Sequence, residues 1–153
     1  MNKSKWIIHA PFIIYLSVLL YITLFAWNYG ASLGEAGPGG RNYNLIPFRS
    51  IYRIAIYSPS FYDPIKILIG NIVLFIPLGF FLPIVFRRLK GQFAKVVWMG
   101  FIVSFMIELI QFTFLYRVAD VDDLFLNTAG AMVGYGFYWL FQQIKRRFIL
   151  FTI

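Results

Sequence analysis

A carboxylate sits where this chain is least able to hydrate it. Glu108 lies inside a long apolar run, with Ser104 four residues before it and Gln111 three after. That spacing puts the three on one face of a helix. A second polar cluster follows in "RVADVDDLFLNTAG", where Arg117, Asp120, Asp122, Asp123, Asn127 and Thr128 fall close together, and Asn71 lies alone in an earlier apolar stretch. Paired carboxylates serve acid/base catalysis or bind hard cations, so Glu108, Asp120 and Asp123 are the catalytic candidates. Arg117 could hold a phosphate or carboxylate. One histidine, His9, and no cysteine leave no donor set for zinc and no thiolate. Nor is there a G-x-S-x-G elbow. A blander reading gives Glu108 a purely structural hydrogen bond to Asn71 or Asn127. It makes Arg117 and the aspartates a helix cap and a surface ion pair worth about 0–1 kcal/mol.

The elements that would hold these groups are apolar helices. Hydrophobic residues make up 60% of the 153, and the mean hydropathy is +0.73. That is too apolar for a single water-facing domain, and it predicts an all-α integral membrane protein. Phe 18, Tyr 10 and Trp 4 suit aromatic belts at membrane interfaces. Four stretches approach the roughly 20 residues a spanning helix needs: about 6–27, 65–86, 96–115 and 124–141. The expectation is a four-transmembrane-helix bundle forming one domain over 1–153. The first span follows Lys3 and Lys5 but is longer than the usual signal-peptide core of about 7–15 residues, so it reads as a retained anchor.

Charge sets the orientation. Lys3, Lys5, Arg87, Arg88, Lys90, Lys95, Lys145, Arg146 and Arg147 occupy the N-terminus, the second connection and the C-terminus, with no acid among them. Glu35, Asp63, Asp120, Asp122 and Asp123 fall in the other two connections. Positive residues stay cytoplasmic, which places both termini inside. The net charge of +8 is then a matter of topology, with anionic inner-leaflet lipid as its partner and no nucleic acid.

The long outer connection reads as a flexible glycine-rich stretch and then a short interfacial helix, with Tyr52, Tyr57, Phe61 and Tyr62 interleaved with Arg49 and Arg53. Asp63-Pro64 reads as an N-cap and first helical residue. At 1.5 Å per residue, Asn71 and Glu108 lie about 10 Å below the outer boundary and Asn127 about 6 Å. Asn71, Glu108, Gln111 and Asn127 therefore share a depth, beneath a lid carrying Arg117, Asp120 and Asp123. Pro77 is expected to kink its helix and open space near Asn71. Gly130 and Gly134 form GxxxG, a close-approach stripe.

At these residues the chain resembles the VanZ-like family of small bacterial membrane proteins. The resemblance rests on "NLIPF" (44–48), "NIVLFIPLGFFLP" (71–83), "SFMIELIQF" (104–112) and "RVADVDDLFLNTAGAMVGY" (117–135), in that order. The family's D-x-x-D-x-x-x-N-T-x-G falls on Asp120, Asp123, Asn127, Thr128 and Gly130, leaving Asp122 outside the pattern. The resemblance implies a role in resistance to glycopeptide antibiotics, more for teicoplanin than for vancomycin, or a housekeeping role in the envelope of a Gram-positive bacterium.

The leading expectation is an envelope protein of the cell membrane that binds an amphiphile at Asn71, Glu108, Gln111, Arg117, Asp120, Asp123 and Asn127. The ligand would be a lipoglycopeptide or a lipid-linked wall precursor, and no metal or cofactor is called for. One alternative is a membrane enzyme using Glu108 with Asp120 or Asp123. Another is a structural partner of a second membrane protein, paired through the small-residue stripe; with few internal neighbours in so small a bundle, a homodimer is a further expectation.

Overall fold

The computed structural model describes residues 3–25, 43–114 and 119–150. Helix α1 (Lys3–Leu20) runs on through a wider π-helical turn, Tyr21–Phe25. A two-residue strand β1 (Tyr43–Asn44) precedes α2 (Arg49–Tyr57). The single turn α3 (Tyr62–Pro64) and a second π-helical turn, Ile65–Ile69, lead without a break into α4 (Gly70–Val85). A 3-10 turn, Arg87–Leu89, joins α4 to α5 (Phe93–Phe114). Strand β2 (Ala119–Asp120) then opens α6 (Val121–Leu150).

Three of these helical stretches are long and apolar enough to cross a membrane: Trp6–Phe25, Tyr62–Val85 and Phe93–Phe114. Residues 26 and 27 of the first expected span lie outside the described residues. The second starts earlier than expected. Asp63 is not its N-cap: it lies inside the first turn, and Ser60 Oγ takes the Tyr62 N–H at 3.2 Å. Helix α6 is 30 residues long, well beyond the 18 of the expected apolar stretch. "QQIKRR" continues it because Gln, Lys and Arg are good helix formers with no core to enter.

The four long helices alternate in direction. Phe12 of α1 meets Phe81 and Phe86 near the far end of α4, so these two are antiparallel. Ser104 meets Asn127, and Phe93 meets Tyr135, so α5 and α6 are antiparallel. Helices α4 and α6 run parallel, from Asn71–Asp123 at one end to Phe80–Phe141 at the other. Among the described residues the basic 87–95 connection and the basic tail of α6 therefore share one end of the bundle. Asp63, Asp120, Asp122 and Asp123 share the other.

The tightest seam joins α4 to α6. A Cβ at Gly130 would overlap the Ile72 carbonyl oxygen, and one at Gly134 would overlap that of Ile76. Bare backbone at these two positions lets the helices touch main chain to main chain, which is how small residues drive association without a hydrophobic gain. The GxxxG stripe is thus occupied by α4 and is not open to a partner protein. Helix α4 stays helical through Pro77. Asn71, beside which that kink was expected to open space, is engaged by Asp123.

Candidate ligand cavity and its polar clasp

The two aspartates at the start of α6 do different work. Asp122 is 1% exposed, and its carboxylate takes three backbone N–H groups of another part of the chain. Oδ1 accepts from Phe48 at 2.5 Å, and Oδ2 accepts from Ser50 at 2.8 Å and Ile51 at 3.1 Å. These donors open α2, whose own N-cap position holds Phe48 and makes no side-chain cap. An anion there satisfies orphan donors and meets the positive end of the helix dipole.

Asp120 completes the clasp. Its Oδ1 accepts from Asn44 Nδ2 at 2.8 Å and from the Asp122 N–H at 2.9 Å. Asn44 also reaches Ser50 Oγ at 3.1 Å, while its own Oδ1 holds the Ile46 N–H at 3.2 Å. Strands β1 and β2 pair in parallel at the same place, Tyr43 opposite Ala119 and Asn44 opposite Asp120. "NLIPF" therefore docks onto "ADVDD". Phe48 is held at φ 65°, ψ 3°, a left-handed conformation that costs an ordinary residue about 1–2 kcal/mol. Its ring stacks on Phe125, 5.7 Å between centroids at 12°.

Beside the clasp lies a cavity of about 500 Å³. Its walls are largely apolar: Tyr43 and Leu45 from the clasp, Phe105, Leu109 and Phe112 from α5, and Leu124 from α6. Glu108 and Asp120 line it as well, tied to each other by the Asp120 N–H, which donates to Glu108 Oε2 at 2.8 Å. The size falls within the usual range for small-ligand pockets, and so does the pattern of apolar walls with few polar groups.

The structure divides the residues that sequence reasoning grouped by depth. Glu108 and Asp120 share the cavity. Asn71 donates to Asp123 Oδ1 at 2.6 Å across the α4–α6 seam, away from it. Gln111 turns to α1 and donates to the Thr23 carbonyl at 2.7 Å. Asn127 is buried between α5 and α6 and donates to Ser104 Oγ at 2.9 Å. Arg117 lies outside the described residues. The residues not singled out as site residues are Asn44 and Asp122. Two features of the sequence could have found them. "NLIPF" supplies no Ser, Thr, Asp or Asn immediately before α2, so that helix had to borrow its cap. And a third aspartate stands next to two that fit a pattern.

The Asn71–Asp123 bond makes a bounded prediction. A double-mutant cycle of Asn71→Ala and Asp123→Ala, read by unfolding in mixed micelles, is expected to give a coupling of about 0.6 kcal/mol and no more than about 1.7, the range for polar pairs between helices in lipid. A larger coupling would mean the pair shares a network with the clasp.

The comparisons with known proteins bear on the whole of this arrangement. The VanZ/LLP1 family model matches residues 12–142, which take in the clasp, the cavity, α2 to α5, and most of α6. The chain belongs to the VanZ/LLP1 family. Among curated proteins it is similar to Protein VanZ of Enterococcus faecium, 30% identical over 129 residues, covering 83% of this chain and 70% of the relative. No solved structure matches. The matched range contains all four motifs on which the family resemblance rested.

Proposed function

We propose that this is a multi-pass protein of the bacterial cytoplasmic membrane that binds a lipid-tailed ligand in the cavity between α5 and the clasp. In this reading it contributes to glycopeptide resistance or to envelope upkeep. The ligand is an amphiphile: a lipoglycopeptide such as teicoplanin, or a lipid-linked wall precursor. The observation that carries the reading is the cavity itself, apolar on most sides, with Glu108 and Asp120 at one wall. It lies at the end of the bundle away from the basic 87–95 connection and the basic tail of α6. By the positive-inside rule that end faces outward and both termini are cytoplasmic. Helix α6 is then the fourth crossing, through its apolar part, about 124–141.

The test is to express wild type, Glu108→Gln and Asp123→Asn in a susceptible Gram-positive host at matched membrane levels, and to compare inhibitory concentrations of teicoplanin and vancomycin. Wild type is expected to raise tolerance to the tailed drug selectively. Glu108→Gln should lose that tolerance, since it alters the cavity wall. Asp123→Asn should keep most of it, since Asp123 belongs to the seam with Asn71. Equal protection against both drugs would count against an amphiphile site.

The meeting of Glu108 and Asp120 in one cavity favours a second reading, an enzyme acting on a lipid-linked substrate with these two as its acid/base pair. Asp123 drops out of that reading because it faces Asn71. Mass spectrometry of a lipid-linked precursor after incubation with purified protein decides it, and an unchanged substrate rejects it.

A further inference from the structure

Tyr43 and Leu45, at the start of the segment Tyr43–Tyr57, line one wall of the cavity, yet the segment is poorly rooted in the bundle. Helix α2 buries none of its residues. Tyr43, Leu45, Ile46 and Phe48 are each about half exposed or more. Besides the half-buried Ile51 and Ile54 and the ring contacts of Tyr43 with Phe112 and Phe48 with Phe125, the segment is fastened by polar ties: the paired strands, the Asn44–Asp120 bond, and the three N–H groups on Asp122. Elements with few buried apolar contacts open locally, ahead of the core.

The closed position also carries its own tension. Phe48 is the one positive-φ residue other than glycine among the described residues, and it sits where the segment turns into α2. Strain of this kind persists only where surroundings hold it, and it gathers at clamps and switch regions. Opening would release it. The freed helix has somewhere to go, because α2 exposes Tyr52, Ile56 and Tyr57 beside Arg49 and Arg53. Such an amphipathic helix lies stably in a membrane interface.

We infer that Tyr43–Tyr57 is a lid at the edge of the cavity, reaching it through Tyr43 and Leu45 and latched in place by Asp122 and Asp120, and that Asp122 is the positioning residue that sets access. The two sides of the latch are separate in the chain, so it can part without disturbing the helices beneath. The α4–α6 seam and the Ser104–Asn127 pair lie below and do not depend on it. The inference rests on the amphiphile reading only for what passes the lid. That the lid opens is testable without a ligand.

The chain has no cysteine, so single cysteines can be placed cleanly. The measurement is the rate at which a water-soluble maleimide labels Leu124→Cys, inside the cavity, and Ser104→Cys, inside the bundle. Asp122→Asn is expected to speed labelling at position 124 at least tenfold and leave position 104 unchanged. Asn44→Ala, which weakens the latch from the lid side, should act in the same direction. If Asp122→Asn speeds labelling at both positions, that variant has unfolded and Asn44→Ala decides. Rates at position 124 within twofold of the parent in the variant that remains folded would overturn the lid.

A second experiment separates the lid from the ligand. Tyr43 and Ala119 are register partners, and adjacent strands lie close enough to bridge. Tyr43→Cys with Ala119→Cys, oxidised, should take up teicoplanin at least tenfold more slowly than the same protein reduced. No teicoplanin binding in either state would reject the amphiphile reading and leave the labelling result standing. Equal uptake in both states would reject the lid while sparing the site.

Discussion

Gly134→Leu is expected to yield no folded protein, while Gly136→Leu two residues on is expected to be nearly silent. A Cβ at Gly134 would occupy the space of the Ile76 carbonyl oxygen and crowd the Phe80 nitrogen, whereas one at Gly136 would meet nothing. Overpacking a core normally costs about 1–3 kcal/mol because side chains turn aside. Here the obstacle is the main chain of α4, so relief requires α4 and α6 to part along their length. The cost should then exceed about 3 kcal/mol, a large share of a typical fold's stability. Gly136→Leu adds a good helix former to an exposed site and should shift stability by no more than about 1 kcal/mol, toward more stable. Thermal unfolding in detergent, with the two variants side by side, checks both. A folded Gly134→Leu would mean that the helices slide past one another.

The second large effect concerns sign. Asn127 is 4% exposed, and its Oδ1 has no partner among the described residues, while Nδ2 is satisfied by Ser104. Turning the amide over only exchanges which end is left out. Ser104→Ala removes the one partner and leaves both ends of a buried amide unpaired, an expected loss of about 1–3 kcal/mol. Adding Asn127→Leu should recover that loss and go beyond it, because apolar groups replace the whole pair. Chemical unfolding of the parent, the single variant and the double variant reads this directly. If the double variant is the least stable, the asparagine is held by something the pairwise geometry does not contain.

How much of this was legible in the sequence divides along a physical line. Apolar runs of about 20 residues locate the long helices, and charge sorting anticipates which ends lie together. The amphipathic run at 49–57 is α2. Depth along a helix follows from the rise per residue, and on depth alone the polar residues fall into one group. Depth says nothing of rotation about the axis. For that reason Asn71, Gln111 and Asn127 were grouped with Glu108, although each faces a different seam: Asp123, Thr23 and Ser104 in turn. Asp122 escaped because an aspartate at a helix start is ordinarily read as serving that helix. It serves a helix more than 70 residues earlier, and the only local hints of that are the missing cap before α2 and the extra aspartate itself.

The 3-10 turn Arg87–Leu89 divides the chain in a way that bears on how it is made. The glycine seam joins α4 to α6, the clasp joins Asn44 and Phe48 to Asp120 and Asp122, and Gln111 reaches back to Thr23. Each of these ties crosses that turn. The half that leaves the ribosome first therefore has most of its counterpart surfaces still unsynthesised. Its borrowed cap, and the carbonyls that α6 will cover, must wait for the second half. During synthesis the protein is two unfinished reliefs, each the mould of the other, and the order of events is set by the arrival of α6.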